Sequence, residues 1–142
     1  MRRVRSREAG AQASWLNVYR PLRHHVLNRL QVAYGWAQLG EGEEARAALE
    51  DYLQEEQRLS ALLSSLGRRD QRALLTLLAR CEREGRPWRL SGPALSLPKA
   101  AAAAAVAALR REMERGPGPI EIALAEDGVR IVPSEGGHPR VR

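Results

Sequence analysis

The stretch LRHHVLNRLQVAYGWAQLGEGEEARAALEDYL, residues 22–53, decides the fold. In its first part Leu22, Val26, Leu30, Ala33 and Ala37 recur every three or four residues, and Tyr19 extends the series upstream. That spacing puts them on one side of an α-helix, a core stripe. Gly40–Glu41–Gly42 then stops the helix and turns the chain. A second helix follows, EEARAALEDYLQEEQRLSALLSSL, ending at Gly67. Its apolar positions are Ala45, Leu49, Tyr52, Leu59, Leu63 and Leu66, interrupted by Glu56. Its first turn is acidic, as the helix dipole favours. So short a break makes the pair an antiparallel hairpin. One hairpin cannot enclose a core, but two hairpins from two chains form a four-helix bundle. The expectation is a homodimer through residues 14–66. The alternative is that the stripes pack on the C-terminal half of the same chain.

Outward from the hairpin, residues 1–12 lack apolar periodicity and read as a flexible basic arm. Helical spacing begins near Ser14 or Trp15, and Pro21 either starts the active helix or kinks a longer one. Downstream, residues 70–84 read as a third helix closed by Gly85 and Pro87. Trp88–Ser91 read as a short strand, and GPALSLP as a linker or a poorly patterned strand. The alanine-rich segment 99–115 is strongly helix-forming. Ile120, Ile122 and Leu124 alternate, Asp127–Gly128 turns the chain, and Val129 and Ile131 alternate again, which predicts a β-hairpin. The fold class is α+β: a dimerisation hairpin over 13–67, a small αβ region over 68–135 and a loose tail over 136–142.

The 142 residues suit one domain or two small ones. The net charge of +6 is blocked: +6 over residues 1–40, −5 over 41–66, +6 over 67–116 and −1 beyond. All the cations but Lys99 are arginine. Such blocks suit complementary partners; nucleic-acid binding through the arginine arm and residues 68–89 is a third reading, but no motif for it accompanies them, and nucleic acid is not expected. The single cysteine, Cys81, excludes an internal disulfide or a cysteine-based zinc cage. It falls on the apolar face of the third helix and reads as core. No apolar run suits a membrane span or a secretory signal, so a cytoplasmic protein with no membrane partner is expected.

His24, Asn28, Gln31 and Gly35 cluster opposite the core stripe of the first helix. His25 falls on a flank with Arg29, Val32 and Trp36. An exposed, neutral imidazole can attack phosphorus. The amide one turn later could orient the ring or hold a phosphoryl oxygen, and Arg20 and Arg23 would attract the phosphoryl group and an acidic donor. A surface histidine without a role is the bland reading. His138, in the tail, has no partner in the sequence.

The residues of 22–53 resemble the phosphoacceptor hairpin of the sporulation initiation phosphotransferase B family, shared with sensor kinases of the citrate and C4-dicarboxylate type. Leu22, Arg23, His24, Asn28, Leu30, Gln31, Gly35, Gln38, Leu39, Gly40 and Ala45 carry the resemblance. It implies that His24 is the phosphorylated residue. The family has Asp or Glu directly after the histidine, where this chain has His25; that acid is implicated as a base in ATP-driven phosphorylation. The resemblance also implies that residues 68–135 are a shortened, degenerate kinase-type ATPase region. The helix at 99–115 has no Asn for Mg²⁺, and PSEGG at 133–137 is at best a relic of a glycine lid.

The expected function is therefore ATP-independent phosphotransfer through a phosphohistidine in a phosphorelay. The resemblance places this in sporulation signalling by a two-component system. His24 and Asn28 are the catalytic pair, and Arg20, Arg23, Gln31 and Gly35 meet the receiver domain of a response regulator. No cofactor is expected, Mg²⁺ coming from the regulator. The competing expectation is a non-catalytic dimeric module that binds or sequesters a regulator or a kinase.

Overall fold

The computed structural model describes residues 2–133, with side chains from Val18 onward. It is a mixed α+β chain of four helices and a three-stranded sheet. Helix α1 spans Arg2–Gln38 and α2 Gly42–Ser64. Arg29 meets Asp51 while His25 meets Glu55, so the two helices run antiparallel. Gly40 at φ 77° makes the reversal, a left-handed conformation that favours glycine.

Helix α1 begins at Arg2, not near Ser14, so the residues expected to form an arm are its first turns. The segment REAGAQAS supplies helix-forming residues without an apolar stripe, so periodicity missed it. Pro21 lies inside the helix and does not start it.

The C-terminal half packs onto the hairpin. Helix α3 (Arg68–Arg83) leads to β1 (Trp88–Ser91), which lies parallel to β2 (Ile120–Ala125), with α4 (Lys99–Arg115) between them in sequence. β2 turns through Glu126 and Asp127 into antiparallel β3 (Gly128–Pro133). Ile120, Ile122 and Leu124 alternate inward, as expected. They meet Leu74, Leu78 and Cys81 of α3 and Ala102, Val106, Leu109 and Met113 of α4 in one core, which Leu62 and Leu66 extend to the end of α2. Residues 67–68 are thus no break in packing. Among the described residues no helix is long and apolar enough to cross a membrane.

Of the expected core stripe on α1, Ala33 is buried and Leu22 and Val26 are half-buried. Tyr19, Leu30 and Ala37 are exposed. The intramolecular seam is turned toward Val18, His25 and Arg29 because α3 packs on α1 beside α2. Tyr19 and Leu30 of α1 and Leu49 and Leu53 of α2 are 48%, 40%, 42% and 56% exposed.

Gly92, just after β1, has φ 87°, and a Cβ there would lie 2.1 Å from the Leu124 carbonyl oxygen. Gly92→Ala would force β1 and β2 apart. We expect it to cost about 3 kcal/mol, combining backbone strain with the clash, read from the urea midpoint at unchanged slope.

Candidate functional site

The outer face of α1 carries the residues that the sequence singles out. His24 and Asn28, one turn apart, are both exposed, as are Arg20, Arg23 and Gln31. Gly35 is half-buried, yet nothing lies within 4 Å of where its Cβ would be. These residues share the side of α1 turned away from α2 and α3. His24, Arg20 and Arg23 make no hydrogen bond or ion pair among the described residues. An exposed imidazole, a carboxamide on the next turn, two guanidiniums and a bare glycine thus form an open, pre-formed surface. An exposed imidazole with hydrogen-bond donors beside it has the chemistry to accept a phosphoryl group.

His25 does something the sequence does not reveal. Its Nε2 lies 3.1 Å from Glu55 Oε1 on α2, and its Nδ1 lies 2.7 Å from Glu82 Oε1 on α3. The ring stacks on Trp88 of β1, centroids 4.5 Å apart and planes 22° from parallel. Trp88 Nε1 donates to the same Glu82 oxygen at 2.8 Å. Arg29, one turn along, donates to Glu55 Oε2 at 2.7 Å and Asp51 Oδ2 at 3.0 Å. Four elements therefore meet on one imidazole.

The geometry favours the charged ring: a carboxylate accepts, and a neutral tautomer would turn a lone pair on one of the two carboxylates. Burial pulls the His25 pKa down and is the largest single influence. The Glu55 hydrogen bond, the charges of Glu82 and Glu55 and the Glu82 bond together outweigh it, and the pKa rises above the ordinary 6.5. His25 is a clasp between the hairpin and the αβ half, not an exposed nucleophile.

One signal for this cluster was present. Glu55 falls in the series Tyr52, Glu55, Leu59, Leu62, Leu66, whose three-and-four spacing points inward. An inward acid needs a partner. Glu82 gave no comparable sign, since its contact depends on how α3 docks.

Cys81 is fully buried, with its Sγ 3.8 Å from Met113 Sδ. Burial, only partly countered by Arg86, pushes its thiol up to about 11, so it is core as expected and not a thiolate nucleophile. Among the described residues no group of His, Cys, Asp or Glu could hold a metal ion. His138 and residues 134–137 of the PSEGG segment lie outside the described residues.

No protein-family model, curated protein or solved structure matches the chain.

Proposed function

We propose that this chain is a dimeric histidine phosphotransferase of a phosphorelay, of the sporulation initiation phosphotransferase B type that its hairpin resembles. The observation that carries the reading is the exposed row His24–Asn28–Gln31 on the outer face of the hairpin, continued by the half-buried Gly35 and flanked by Arg20 and Arg23. A receiver domain docks on this face with its aspartyl phosphate in line with a neutral nitrogen of His24. The N–P bond forms, the acyl P–O bond breaks, the aspartate leaves as carboxylate, and the second ring nitrogen gives up its proton to solvent. A second receiver reverses the step. Both phosphoryl bonds are high in energy, so the transfer is close to balance and the protein contributes mainly position. Mg²⁺ comes from the receiver.

The αβ half serves as a docked, degenerate relative of a kinase ATPase region and does not use ATP. Saturable, Mg²⁺-dependent ATP binding by calorimetry would contradict this; we expect none.

The bundle supplies the dimer. Tyr19, Leu30, Leu49 and Leu53 are left exposed among the described residues, and in this reading a second hairpin covers them. We expect sedimentation to give a dimer at tens of micromolar, and Leu30→Glu with Leu53→Glu to give a folded monomer. A monomeric wild type at that concentration would sink the bundle.

The test of function is incubation with a set of phosphorylated receiver domains. Acid-labile, alkali-stable phosphate should pass to this protein. Receiver binding without phosphate would favour the sequestering module, a reading supported by His25, whose two nearby acids are spent on the clasp.

A further inference from the structure

Five arginines line one groove between α3 and α4, remote in sequence from the His24 row. Arg69, Arg72, Arg80 and Arg83 come from α3 and Arg110 from α4; Ala73, Thr76 and Leu77 complete a space of about 370 Å³. On α3 the positions 69, 72, 76, 80 and 83 follow a three-four-four-three spacing, one face of the helix. At 1.5 Å per residue that row is about 21 Å long. Arg80 is paired with Glu84 at 2.8 Å. The other four guanidiniums have no ion pair among the described residues.

Arg80 and Arg83 lie in the last turn of α3, where the helix dipole favours positive charge, so helix stability accounts for that end of the row but not for the other. Arg69 and Arg72 stand near the N-terminus of the helix, where the dipole disfavours positive charge. Arg69 with Arg72, and Arg80 with Arg83, are like-charged neighbours that repel. The N-terminal end of the row therefore costs the isolated protein some stability, and the row as a whole suits a long anion that lies along it.

The lining also says which anion. Protein partners are anchored by exposed aromatic or large apolar side chains; the groove has only Ala73 and the buried Leu77 beneath its cations. Single strands are held by aromatic stacking, and the groove has no aromatic. A row of cations with a hydroxyl at its centre, Thr76, matches successive phosphates of a regular backbone. We propose that the α3–α4 groove binds the sugar–phosphate backbone of double-stranded nucleic acid, without reading its sequence. This binding is independent of the chemistry at His24.

The experiment is fluorescence anisotropy of the full chain with two labelled 20-base-pair DNA duplexes of unrelated sequence. Both should bind equally, and with four phosphates engaged the affinity should fall about 150-fold between 50 and 200 mM salt. Arg69→Ala, Arg72→Ala and Arg83→Ala together change only exposed side chains, and circular dichroism should verify the fold. This variant should lower the steepness of the log–log salt plot by about 2.7, or 0.9 per lost contact. A triple variant that binds like wild type would overturn the proposal. So would loss of binding only when Arg2, Arg3, Arg5 and Arg7 are replaced by Ser. Equal binding of single strands, or competition by poly-glutamate matching that of duplex charge for charge, would also overturn it.

Discussion

His24→Ala is expected to abolish phosphoryl acceptance from receiver domains and to leave the fold intact. The side chain is exposed and has no partner among the described residues, so its removal disturbs no packing. In the proposed reaction it is the nucleophile, and His25 is not placed to replace it: both of its nitrogens are held against carboxylates. Asn28→Ala should slow transfer about 10- to 100-fold, or about 1.4–2.7 kcal/mol, because the ring and the phosphoryl oxygens lose a positioned amide. Arg20→Ala and Arg23→Ala should weaken receiver binding, with a deficit that shrinks as salt rises. His25→Ala should retain transfer per folded molecule. Rapid-quench transfer from a labelled receiver gives all these rates. An active His24→Ala variant beside a folded, inactive His25→Ala variant would reverse the assignment.

Stability, in contrast, belongs to His25. Its folded pKa is raised above 6.5, so the folded state binds a proton more tightly than the unfolded chain does. The stabilisation is then complete below about pH 6.5 and is lost as the pH rises through the folded pKa. Urea unfolding from pH 5.5 to 9 should show this decline. His25→Ala strips the shared cation from Glu55 and Glu82 and removes the ring stacked on Trp88. At pH 6 we expect a loss of about 3 kcal/mol, at the low end for breaking a buried ion pair because the side chain of His25 keeps some exposure. The variant should also lose the decline at neutral pH. Glu55→Gln and Glu82→Gln should each shift the decline to lower pH. An unchanged pH profile in His25→Ala would show that the imidazole is not the titrating clasp.

Much of the fold could be read from local pattern. The reversal at Gly40, α4 at Lys99–Arg115 and the alternation of Ile120, Ile122 and Leu124 all depend on near neighbours, and the structure has them where expected. The first turns of α1 could not be read that way, because they follow helix propensity without an apolar stripe. The seam of α1 was misjudged for a different reason. Periodicity finds the apolar side of a helix, but two different surfaces compete for it. One, around Ala33, Leu22 and Val18, faces the chain's own α2 and α3; the other, around Tyr19 and Leu30, does not. At the candidate site the exposure of His24, Asn28 and Gln31 was legible, since facing away from a stripe is itself a helical property. The clasp was only half legible. Glu55 sits inward in its own helix, whereas the contacts of His25 with Glu82 and Trp88 join residues that only the packing of α3 and β1 brings together.

The most direct test is to locate the phosphate. The full-length protein would be mixed with a ³²P-labelled receiver domain, quenched at alkaline pH and digested, and the labelled peptide sequenced by mass spectrometry under non-acidic conditions. The account predicts one acid-labile phosphate on His24, removed by an unphosphorylated second receiver. Label on His25, or no transfer from any receiver that binds the hairpin, would contradict it.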